Sequence, residues 1–139
     1  MTIKLTKSQK IRVLNSQDIA AIMQQVLRRE NRIDRGKEHL WLVCLDMSNR
    51  ILLVELISLG SQRQTIADPV EIFSFALQKK AVKIILVHNH PSGDPTPSKA
   101  DLDLTQLLQQ SSKVVGIALD DHVIIGAGKY VSLREEGKI

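Results

Sequence analysis

The run Lys83-Ile-Ile-Leu-Val-His-Asn-His90 limits the fold of this 139-residue chain more than any other stretch. Alternate strand side chains point to opposite faces. A short strand that is apolar at nearly every position therefore belongs inside a sheet covered on both sides. Helical segments flank it. Upstream, "DPVEIF" carries a start signal, with Asp68 as N-cap, Pro69 at the first helical position and Glu71 completing a capping box; this helix is expected to run to about Lys80. Downstream, "SKADLDLTQLLQQSS" reads as a helix turning Leu104, Leu107 and Leu108 inward.

The remaining segments extend this pattern. "SQDIAAIMQQVLRREN" has Ile19, Ile22, Met23, Val26 and Leu27 on one helical stripe, with Ser16 as cap, Asp18 in the first turn and Gly36 marking the way out. "HLWLVCLD" and "RILLVELISLG" read as strands of a hairpin turning at Ser48 and Asn49. "VVGIAL", "DHVIIG" and "KYVSL" supply two or three closing strands, with Asp120 and Asp121 as turn residues. The order is α-β-β-α-β-α-β-β-β. An α/β (α+β) fold is expected, a mixed sheet flanked by helices around a single core.

Composition restricts the function class. Hydrophobic residues make up 43% and charged residues 24%, an ordinary globular balance. No apolar run approaches the ~20 residues of a membrane span. The N-terminus has no continuous apolar signal region, so a cytoplasmic protein without membrane contact is expected. The one cysteine, Cys44, lies in an apolar run and reads as a small core residue. The net charge of +4 is uneven: residues 1–36 hold eight Lys/Arg against three Asp/Glu. Residues 1–35 are accordingly read as a basic segment with one helix, and residues 36–139 as the main domain. Such an arm is read first as a solvated surface, with weak contact to nucleic acid or an acidic partner as the alternative. Aromatic residues are only 3% of the chain, which disfavours a stacking platform for single strands.

The chemistry gathers at the end of the apolar strand. His88 and His90 share a face, about 7 Å apart at Cα from the ~3.3 Å rise. Pro91 ends the strand, and "PSGDPTP" is a stiff loop. Ser98 then begins a helix with Asp101 three residues on, giving H-x-H-x7-S-x2-D. Two imidazoles and a carboxylate, with a fourth position left open, form a catalytic metal arrangement. The same Ser98–Asp101 spacing is also a helix capping box that needs no metal.

"HNHPSGDPTPSKADLDLT", with "LDDHVIIG" and "YVSLRE" further on, resembles the RadC-like branch of the JAMM (MPN+) zinc metalloproteases over roughly residues 30 to 134. The resemblance implies a JAB/MPN (cytidine-deaminase-like) fold and a Zn2+ ion held by His88, His90 and Asp101. It further implies Ser98 polarising the reacting group and an upstream glutamate as general base. Glu38 fits that last role, with Glu55 and Glu71 as rivals. The implied activity is hydrolysis of an amide bond in a protein or peptide by a zinc-activated water, a metallopeptidase or isopeptidase reaction. His39 is expected at the surface or in support of the base, and His122 as a structural hydrogen-bonding residue near the site. The alternative is a non-catalytic interaction module, or a DNA-repair or mobile-element-associated factor that binds nucleic acid. Many RadC-like chains carry an N-terminal helix-hairpin-helix region, and the first ~35 residues here show no such G-x-G hairpin.

Overall fold

The computed structural model describes residues 1–60 and 67–139. Five strands form one sheet in the order β2-β1-β3-β4-β5. They are β1 (Glu38–Leu45), β2 (Ile51–Gly60), β3 (Lys83–Asn89), β4 (Ala118–Ile125) and β5 (Tyr130–Ser132). Among the described residues β3 and β4 pair in parallel, and the other neighbours are antiparallel. Among the described residues, four α-helices flank it: α1 (Ser16–Arg28), α2 (Arg32–Arg35), α3 (Pro69–Gln78) and α4 (Lys99–Val115). The expected mixed sheet with flanking helices is present.

The apolar run of β3 lies at the centre of the sheet, as its two-faced hydrophobicity requires. One face carries Trp41, Val43, Leu45, Ile85, Val87, Val123 and Ile125, and α1 covers it with Ile19, Ile22, Met23 and Val26. The other face carries Leu40, Leu42, Cys44, Ile84 and Leu86, covered by Ile72, Phe73 and Ala76 of α3 and Leu108 of α4. Burial pushes the Cys44 thiol up to about 12, so it stays protonated and acts as core filling.

Several local expectations are corrected. The cap of α1 is Asn15, whose side chain accepts from the Asp18 N–H. Ser16 is buried one position later and hydrogen-bonds Tyr130 and Glu135. Asp68 does cap α3, accepting from Val70, but Glu71 is exposed and forms no box with it. Gly36 caps the short α2, which has too few residues to show a periodic stripe. Leu107 is 45% exposed, and Leu108 carries the helix contact instead. "VVGIAL" and "DHVIIG" are not two strands. Val114 and Val115 finish α4, Gly116 ends it in the left-handed region at φ 80, and β4 runs unbroken from Ala118. Asp120 and Asp121 are therefore strand residues. Asp121 is buried and satisfied by the Ser132 hydroxyl at 2.5 Å and the backbone N–H groups of His122 and Arg134.

The hairpin turn is as expected, with Asn49 at φ 63 and the Asp46 carboxylate accepting from Ser48 and Arg50. Among the described residues, no helix is long and apolar enough to cross a membrane.

Because α1 completes the core on one face, shortening its fully buried Met23 is expected to destabilise the whole molecule. Met23→Ala should cost about 2–5 kcal/mol in urea unfolding while leaving one cooperative transition.

Candidate metal centre

The site forms where β1 and β3 end beside the start of α4. Antiparallel pairing sets Leu40 opposite His88. Two residues further along both strands, Glu38 comes beside His90 on the α4 side of the sheet. On the other side, Asn89 fixes the start of β1: its Oδ1 accepts from the His39 N–H at 2.6 Å, and its Nδ2 donates to the Lys37 carbonyl at 3.0 Å. Asn89 thus holds both neighbours of Glu38. The proline-rich loop is equally fixed. Gly93 sits at φ 90, and its carbonyl accepts from Ala127 at 3.0 Å. Gly126 passes so close that an added Cβ would meet the Gly93 oxygen at 2.3 Å.

Asp101 reconciles the two readings of its spacing. Ser98 Oγ accepts from the Asp101 N–H at 3.1 Å, and Asp101 Oδ2 accepts from the Ser98 N–H at 2.8 Å, a complete capping box. The same carboxylate reaches the imidazoles. Its Oδ1 lies 3.0 Å from His88 Nε2, its Oδ2 lies 3.0 Å from His90 Nε2, and the two Nε2 atoms are 3.1 Å apart.

The hydrogen bonds behind this triangle assign the protons. The Thr105 hydroxyl donates to the Asp101 carbonyl at 2.9 Å, so it accepts from His122 Nδ1 at 2.6 Å. His122 Nε2 then accepts from His88 Nδ1 at 2.8 Å. This leaves His88 Nε2 facing Asp101. His90 is fixed in the same way, since its Nδ1–H donates to the Asp94 carbonyl at 2.9 Å. Both imidazoles therefore hold Nδ1 engaged and aim Nε2 into the triangle, the orientation of metal-ligating histidines whose other nitrogen is held.

Electrostatics favour positive charge at that point. Burial raises the Asp101 carboxyl, and hydrogen bonds from His88 and His90 outweigh it, holding the group far below the usual range. His90 is raised, chiefly by its bond to Asp101. His122 is pushed down to about 3, first by burial and then by the charge of His88, and stays neutral.

Among the described residues, Glu38, His88, His90 and Asp101 form a group in which one donor atom from each lies within 4.8 Å of every other. A tetrahedral ion with bonds of about 2.0–2.1 Å keeps its ligands about 3.3 Å apart. The separations of 3.0–3.1 Å among the two imidazoles and Asp101 fit one such ion. The cluster borders a cavity of about 270 Å³ lined by Glu38, His90, Pro91, Ser92 and Ser98.

All five residues named from the sequence are thus brought together. The rival glutamates are elsewhere. Glu55 is buried against the Thr2 hydroxyl and the Met1 amino group, and Glu71 is exposed on α3. His39 is fully buried rather than at the surface, stacked on Trp41 at 4.9 Å on the face away from the cluster. Its neighbour relation to Glu38 misled, because adjacent strand residues face apart. Thr105 and Asn89 were missed. Thr105 lies one helical turn after Asp101, a spacing that signals a shared face.

The comparisons with known proteins agree with this geometry. The sequence model of the RadC-like JAB domain matches residues 13–138. The chain belongs to the RadC-like JAB domain family. A UPF0758 protein of Caldanaerobacter subterraneus is 40% identical over 132 residues, covering 95% of this chain and 54% of its own length. One of Methanococcoides burtonii is 50% identical over 103 residues, covering 74% and 45%. One of Methanosarcina barkeri is 40% identical over 128 residues, covering 92% and 54%. The chain spans about half the length of these curated relatives. In this RadC-like JAB domain, the Glu, His, His and Asp cluster is a site able to bind a metal ion.

Two outcomes are expected. Thr105→Val removes the acceptor for His122 and should weaken metal affinity about 10–100-fold in chelator competition. In metal-free protein, His122 titrates lower when folded than when unfolded, so the unfolded chain binds the extra proton. That contribution to stability is complete above about pH 6.5 and is lost as pH falls toward 3. Urea unfolding should show wild type losing stability relative to His122→Asn between pH 6.5 and 4.5.

Proposed function

We propose that this domain is a zinc-dependent hydrolase of amide bonds, a metallopeptidase or isopeptidase of the JAMM type. The observation that carries the reading is the convergence of His88, His90 and Asp101 on one point, with Glu38 in the same cluster and the cavity open beside it. Two nitrogens and a carboxylate oxygen are a ligand set suited to zinc, and a fourth position left open marks catalytic sites. Zinc bound there supplies a water acidified to near neutral pH and a Lewis acid for a carbonyl oxygen.

The residues of the chain divide the remaining work. His88 and His90 keep Nε2 aimed at the ion position, their rings held through His122 and the Asp94 carbonyl. Glu38 takes a proton from the attacking water and returns it to the leaving amine, as a general base and then acid. Its place is set by Asn89 on either side. Ser98 Oγ accepts from the Asp101 N–H, which leaves its own proton directed to an acceptor. That proton serves the oxygen of the tetrahedral intermediate, where preorganised donors contribute most. Substrates are protein or peptide amides.

Metal content and turnover separate the roles. His88→Ala should lose zinc by elemental analysis. Glu38→Gln should keep zinc and lose about 10²–10⁴-fold in cleavage of a peptide library followed by mass spectrometry. Undiminished cleavage by Glu38→Gln, or full zinc in His88→Ala, would overturn the assignment.

A further inference from the structure

A second concave surface lies along the outer edge of β2, away from the cluster. The N-terminal residues 1–12 run beside this edge as a strap. They touch it at two bridges, Thr2 with Glu55 and Arg12 with Arg50. Backbone bonds join Ile3 to Val54, Leu56 to Met1 and Val13 to Asn49. Between them, over residues 51–53, the strap stands off and leaves a groove of about 400 Å³. The strap is anchored from behind: Arg29 donates to the Lys4 carbonyl at 2.8 Å, and buried Gln9 donates to Gln25 at 3.0 Å. The groove is a built feature of the fold.

Its lining has a consistent chemistry. Lys4, Lys10, Arg12, Arg50 and Lys79 surround it, and among the described residues no Asp or Glu does. None of the five makes a salt bridge among the described residues. The floor is aliphatic, from Ile3 and Leu5 of the strap to Leu52 and Val54 of β2, with Leu52 38% exposed at the bulge of the strand. Gly60 pairs with Glu38, so the groove begins six residues from the catalytic end of β2, about 20 Å along it.

We propose that this groove docks an extended acidic peptide segment that alternates carboxylate and aliphatic side chains. The cations complement the carboxylates, and the floor receives the apolar side chains. The three-residue gap in the strap offers about 10 Å of strand edge, which suits an added strand. Nucleic acid is disfavoured by the same lining, because among the described residues it holds no aromatic plane for stacking and no Asn or Gln to read a base edge.

The test uses fluorescence anisotropy of the full chain with two probes, a labelled peptide of alternating Glu and Val and a single-stranded oligothymidine of equal charge. The expected result is tighter binding of the peptide at physiological salt. Arg50→Glu with Lys79→Glu should weaken the peptide about tenfold, while Lys113→Glu on the far helix should not. Leu52→Ser should weaken the peptide and leave any oligothymidine binding unchanged. Thermal melts check that each variant folds, and Lys79→Gln replaces the double variant if it does not. Equal or tighter oligothymidine binding, peptide binding indifferent to these changes, or no peptide binding would each overturn the proposal.

Discussion

One carboxylate ties the chemistry to the fold. Asp101 closes the capping box of α4 and at the same time faces the two imidazoles at the end of β3. A helix start needs a group that accepts backbone N–H bonds, and an ion site needs a fixed anion. Because one side chain does both, the position of the anion is set by the helix and not by a free rotamer. The crossover from β3 through α4 to β4 then delivers His122 and Thr105 behind the same point. The cluster is consequently a product of the secondary-structure junction itself.

The cluster also explains an electrostatic tension. A buried carboxylate and paired imidazoles at about 3 Å are costly to leave without a shared positive charge. In the metal-free protein, a proton on His90 meets part of that need, as its raised pKa indicates. His122 behind His88 stays neutral and holds that ring in place. His90 is the site where a proton and an ion compete. Pinning of Gly93 against Ala127 and Gly126 keeps His90 from relaxing away.

Much of this was legible in the sequence. The two-faced apolar run predicted a central strand, and H-x-H with Ser98 and Asp101 identified the residues that meet. The less legible parts have physical reasons. Ser98–Asp101 spacing admitted a cap or a ligand, and only three-dimensional placement showed one carboxylate serving as cap while lying at the ligand position. Val114 and Val115 read as strand because β-branched residues favour sheets, yet tertiary packing carried α4 through them to Gly116. Asp120 and Asp121 read as turn residues because their type suits turns, and the Ser132 hydroxyl that makes burial of Asp121 tolerable comes from another strand. Asn89 was invisible as a positioning residue because its partners lie fifty residues away.

The central claim is that His88, His90 and Asp101 gather about one small divalent ion. X-ray absorption spectroscopy of the purified, metal-loaded protein tests it most directly. The account predicts one ion per chain with two imidazole nitrogens and oxygen donors at about 2.0–2.1 Å, and no sulfur. An ion bound through the Cys44 thiolate, or a shell with fewer than two imidazoles, would contradict it.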